Sequence, residues 1–70
     1  MKLYTYIKIA IAREGETMKN VSDHVGYTEQ GNFTHALKNC SISFNKLKPM
    51  AKYLNEDLEE IQKLWSNENS

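Results

Sequence analysis

Apolar residues recur along this chain in short stripes, each bounded by residues that start or stop a helix. Leu3, Ile7, Ala10 and Ile11 fall at i, i+4, i+7 and i+8, the apolar face of an amphipathic helix. The same stretch also alternates (Leu3, Thr5, Ile7, Ile9, Ile11), so a strand competes with the helix. Ala10, Ala12, Arg13 and Glu14, followed by Gly15 as a stop, favour the helix. Thr17 is placed to cap a second helix whose buried stripe is Met18, Val21 and Val25 and whose end is Gly26. A third begins near Thr28 or Glu29 and runs to about Asn39, with Phe33, Ala36 and Leu37 apolar. Asn39, Cys40 and Ser41 break the pattern. Ser43 is expected to cap a fourth helix with Phe44, Leu47, Met50, Ala51 and Leu54 on one face, while Ile42 closes a hydrophobic staple against Leu47. Pro49 falls inside that helix, removes one N–H and is expected to bend its first turns. Asn55 stops it. Asp57 and Glu60 resemble a capping box for a last helix through Leu58, Ile61, Leu64 and Trp65, whose acidic first turn suits the helix dipole.

The expected fold is therefore all-α, five short helices in one compact domain over residues 1–65, with 66–70 a polar, flexible tail. Composition narrows the picture. A chain of 70 residues buries roughly 60% of its unfolded surface, so its stability margin is thin. Cys40 is the sole cysteine, which rules out a disulfide framework and fits a reducing cytoplasm. His24 and His35 stand too far apart for a metal-binding pair, so no metal and no cofactor is expected. The longest apolar run, Leu3 to Ala12, contains Lys8 and falls short of the ~20 residues of a membrane span. It also lacks a signal-peptide cleavage site. Net charge is zero, but its distribution is uneven. Residues 1–55 hold eight Lys/Arg against Glu14, Glu16, Asp23 and Glu29, whereas residues 56–70 hold Lys63 against Glu56, Asp57, Glu59, Glu60 and Glu68. Lys38, Lys46, Lys48 and Lys52 lie in one short basic region, which permits a polyanionic partner and also suits an ordinary solvated face.

The second and third helices carry the most specific pattern. A short helix ends at a glycine, a tight turn follows, and the next helix is apolar on one stripe and polar elsewhere. The DNA major groove, about 12 Å wide, admits one such helix with its exposed side chains against base edges. With Phe33 inward, Gly31, His35 and Lys38 point away from the core, Asn32 and Thr34 flank them, and Gln30 sits at the start.

From Thr17 to Ile61 the chain resembles the Cro/C1-type helix-turn-helix family of phage and bacterial repressors. The likeness rests on Thr17 opening the second helix, Val21 and Ser22 at its centre, the Val25-Gly26 end, Gln30 and Phe33 in the third helix, Leu47, Ala51 and Leu54 in the fourth, and Asn55 with Leu58 to Ile61 leading into the fifth. The resemblance implies a lambda-repressor-like fold and a cytoplasmic transcriptional regulator, a repressor from a phage or mobile element, that binds double-stranded DNA. It implies base contacts from Gln30, Gly31, Asn32, Thr34, His35 and Lys38, with the Gln30 amide able to bond adenine N6 and N7 together. Phosphate contacts are implied at Thr17 and Lys19, at Asn39, and at Ser43, Asn45 and Lys46, where helix starts offer unpaired N–H groups. Alignment on Gln30 and Phe33 leaves one extra residue in the turn from Gly26 to Glu29, which alters the angle at which the third helix is presented.

Plainer readings compete at each position. Gln30, Asn32, Thr34 and Lys38 also suit a hydrated helix face. His24, beside Val21 and Val25, reads as a partly buried structural residue, and Cys40 as a small half-buried thiol. Tyr4, Tyr6, Tyr53 and Trp65 read as core or interface rather than a base-stacking platform. Nothing suggests an enzyme: no carboxylates converge and no nucleophile has an evident base. The main alternative is a protein-interaction adaptor on the same scaffold, suggested by the zero net charge, the acidic last helix and Trp65. Under the DNA reading, Leu58, Ile61, Leu64 and Trp65 serve a homodimer that sets two reading helices ~34 Å apart. DNA binding further predicts Lys19, Lys38 and Lys46 on one surface.

Overall fold

A computed structural model describes residues 1–69, and its elements are helices throughout. They are α1 (Leu3–Arg13), α2 (Met18–His24), α3 (Gln30–Lys38), a 3-10 turn (Phe44–Lys46) leading directly into α4 (Leu47–Leu54), and α5 (Leu58–Glu68). No strand forms among the described residues, so the alternation in the first segment is overridden. Its helical stripe supplies the buried residues Leu3, Ile7, Ala10 and Ile11, while Ile9 stays exposed.

The first four helices end in the same way. The residues after them, Gly15, Gly26, Cys40 and Asn55, all have positive φ. In each case the next N–H reaches back five residues to a carbonyl: Glu16 to Ile11 at 3.0 Å, Tyr27 to Ser22 at 3.0 Å, Ser41 to Ala36 at 2.8 Å and Glu56 to Ala51 at 2.9 Å. This left-handed cap satisfies carbonyls that would otherwise lack partners, and glycine enters it without a Cβ penalty. Cys40 occupies it at φ 52, a strained position for a side chain, and its thiol is buried.

The N-terminal caps divide. Thr17 Oγ1 accepts from the Asn20 N–H at 3.1 Å and Asp57 Oδ1 from the Glu59 N–H at 3.0 Å. Ser43 makes no such bond; its hydroxyl donates to Asn45 Oδ1 at 3.3 Å. The fourth helix starts as a 3-10 turn, and the cause is Pro49. In an α-helix begun at Phe44 the proline would lie past the first turn, where its ring meets a carbonyl four residues back. Beginning the α-helix at Leu47 brings Pro49 into the first turn, where an N–H has no helical partner anyway. Phe44 therefore leaves the expected buried face. It is 48% exposed, with its ring edge-on to Trp65 at 5.2 Å.

One core joins all five helices, built from Leu3, Ile7, Val21, Phe33, Leu37, Ile42, Leu47, Met50, Leu54 and Ile61 with smaller residues between them. Polar ties fasten its rim. Tyr6 donates to Glu56 at 2.9 Å, and Arg13 pairs with the same carboxylate at 3.5 Å. Tyr53 donates to Glu16 at 3.1 Å, and the exposed His24, expected to be partly buried, stacks on the Tyr53 ring at 4.2 Å.

The expected tail is corrected. Helix α5 continues through Glu68, whose carboxylate accepts the Leu3 N–H at 2.7 Å, and Asn69 donates to the Cys40 carbonyl at 3.2 Å and the Trp65 carbonyl at 2.8 Å. Polar side chains here close backbone groups rather than fray. Ser70 lies outside the described residues. The dimer face expected on α5 is also altered: Ile61 is fully buried in the core, and Leu58, Leu64 and Trp65 are half-buried against it. The Trp65 indole N–H donates to the Ile42 carbonyl at 2.8 Å. No helix among the described residues is long and apolar enough to cross a membrane.

Candidate nucleic-acid interface

The arrangement begins at the end of α2. Gly26, at φ 95, turns the chain outward, and the half-buried Tyr27 that follows packs its ring on Phe33 at 5.3 Å. Lys46 closes the corner from the 3-10 turn. Its ammonium donates to the Val25 carbonyl at 2.8 Å and lies 5.0 Å from the centre of the Tyr27 ring. A cation there complements the negative end of α2. Burial pushes the Tyr27 phenol above its ordinary range. Tyr27 is thus the packed side chain of this turn, while Thr28 and Glu29 stay exposed. Glu29 precedes α3 without a side-chain cap.

Helix α3 is anchored by Phe33, Ala36 and Leu37, all buried. Gln30, Gly31, Asn32, His35, Lys38 and Asn39 are exposed, and Thr34 is half-buried. The outward face expected from the sequence is therefore present, and the helix itself contributes no carboxylate to it. Two of its members are tied to each other: the Asn39 amide meets His35 Nε2 at 2.8 Å. A methyl group placed on Gly31 would meet no atom within 4 Å, so the fold does not require that glycine.

The lysines do not form one cluster. Lys19 pairs along α2 with Asp23 at 3.4 Å, Lys46 is held at the end of α2, and the Lys38 ammonium lies 5.2 Å from the centre of the Tyr4 ring on α1. Thr17 spends an acceptor on its cap, and Ser43 and Asn45 bond to each other. Of the expected phosphate contacts, Lys46 is thus half-buried and serves the fold, whereas Lys19 is exposed in a weak surface pair.

The sequence alone assigns no role to Tyr27 or Lys8, and it gives Tyr4 only a core or interface role. The usable signal was an aromatic residue in a turn otherwise made of glycine and polar residues, and the four-residue spacing of Tyr4 and Lys8. The Cys40 thiol is raised by burial and then by Glu68, and it faces the Trp65 carbonyl at 3.7 Å, a structural placement. Among the described residues no group of three His, Cys, Asp or Glu side chains is arranged to hold a metal. The exposed α3 face can offer amide, imidazole and ammonium donors and an uncovered stretch of backbone. No family model, curated protein or solved structure matches this chain.

Proposed function

We propose that this protein is a sequence-specific regulator of transcription, a phage or mobile-element repressor working in the cytoplasm, that binds double-stranded DNA by laying α3 in the major groove. The observation that carries this reading is Gly31. Glycine in an exposed helix costs up to about 1 kcal/mol relative to alanine, and no neighbour in the fold needs the space. A partner that approaches the backbone closely gives it a purpose, as does the family resemblance seen from Thr17 to Ile61. Gln30, one residue earlier and exposed, is placed to bond an adenine edge through its amide, and Asn32 and His35 extend the same face.

The test is fluorescence-anisotropy binding to duplex DNA at about 50 and 200 mM salt. Non-specific affinity near 10⁻⁴–10⁻⁶ M that falls steeply with salt is expected, and its absence at the lower salt would overturn the proposal. Once a preferred sequence is selected, Gln30→Ala is expected to lose roughly 1–3 kcal/mol of discrimination at one base pair. Gly31→Ala is expected to move two quantities in opposite directions. The melting temperature rises by about 2–4 °C, since roughly 0.5 kcal/mol of helix propensity is recovered, while DNA affinity falls. A Gly31→Ala protein that gains stability and binds DNA undiminished would remove the main support for the reading.

The adaptor reading draws on a specific observation as well. Lys19, Lys38 and Lys46 turn to three different neighbours, and the chain carries no net charge. A protein that binds no duplex at low salt yet loses a protein partner on substitution of Asn32 or His35 would establish it.

A further inference from the structure

Resting on the DNA reading above, we infer that Lys38 and Lys8 together hold a backbone phosphate beside the C-terminal end of α3, and that Lys38 reads no base. Both ammonium groups converge on one aromatic ring: Lys38 lies 5.2 Å and Lys8 5.7 Å from the centre of Tyr4. Tyr4, on α1, is half-buried against the core, and both lysines are exposed. The face of a phenol attracts cations through its quadrupole and orders long side chains that would otherwise sweep through solvent.

Two like charges brought to one ring repel each other, and no salt bridge joins either to a carboxylate among the described residues. The Glu68 carboxylate accepts the Leu3 N–H at 2.7 Å, and Glu68 and Lys2 act on the Cys40 thiol just past the end of α3 in opposite directions. An anion bridging Lys8 and Lys38 relieves the repulsion, and the anion available beside a helix lying in the major groove is the phosphate chain at the groove edge. Lys38 marks where that chain must pass, because it stems from the outward face of α3 and leans toward α1.

The consequence is a division of labour along α3. Base selection belongs to its first two thirds, from Gln30 to His35, and its far end clamps the backbone with help from α1. Lys8→Gln and Lys38→Gln, with Lys63→Gln on α5 as control, are compared with the parent protein on a selected duplex and a random duplex across a salt series. Because the two lysines share one phosphate, each of the first two is expected to flatten the slope of log affinity against log salt by a part of one unit, on both duplexes alike, and the control to leave it unchanged. If the parent binds no duplex at all, the DNA reading falls and this inference with it. If the parent binds and Lys8→Gln keeps the full slope, or Lys38→Gln weakens the selected duplex only, the DNA reading survives and the phosphate clamp is wrong. Circular dichroism of each variant checks that these exposed substitutions leave the fold intact.

Discussion

Phe33→Ala is expected to lower the melting temperature by at least about 15 °C and to leave the protein largely unfolded at physiological temperature. Truncating a fully buried phenylalanine costs about 3–5 kcal/mol through lost burial and the cavity left behind. Phe33 has no exposed surface, and its ring is also the partner of Tyr27, a contact worth roughly another 0.5–1.5 kcal/mol. A domain of this size has a total stability of only about 4–10 kcal/mol, and each kcal/mol shifts the midpoint by about 4–8 °C. Because Phe33 anchors the helix that presents the polar face, binding and stability should fail together. Thermal melting followed by circular dichroism provides the check. A fall below about 5 °C would mean that α3 is held chiefly by other contacts.

A chain ending at Trp65 is the second large effect, expected to lose about 2.5–4 kcal/mol in urea unfolding. The truncation removes the Glu68 carboxylate from the Leu3 N–H and the Asn69 amide from the Cys40 carbonyl. Bonds to a charged group are worth about 1.5–3 kcal/mol and neutral ones about 1 kcal/mol. The two bonds join the start of α1 and the residues after α3 to the end of α5, so their loss loosens three elements at once. Unchanged stability would restore the picture of residues 66–69 as a tail.

That second result bears on what a sequence can display. The five helices, their buried stripes and the stops at Gly15, Gly26 and Asn55 were legible because each depends on residues within a turn or two of one another. Pro49 was legible as a problem, but its solution, a 3-10 turn that shifts the start of α4, depends on geometry that periodicity does not carry. Cys40 as a left-handed cap was hidden because cysteine has no preference for that conformation. Glu68 and Asn69 were hidden for a different reason: their polar side chains look like solvent-exposed residues until the backbone groups they satisfy are brought near from Leu3 and Cys40. The candidate interface divides in the same way. The outward face of α3 follows from helical spacing, whereas the capture of Lys46 by Val25 and of Lys38 by Tyr4 requires the tertiary fold.

The repeated helix ending has a consequence for how fast the chain finds its fold. Each of the four caps is closed by a bond spanning five residues, so every reversal of the chain is encoded where it occurs and costs little loop-closure entropy. Proteins dominated by such short-range contacts fold in microseconds to milliseconds. The opposite case is the bond from Leu3 to Glu68, which links positions 65 residues apart. The seam between the first and last helices is therefore the natural last step of folding and the first to open, so the far end of α5 exchanges its amide hydrogens sooner than the helices that frame Phe33.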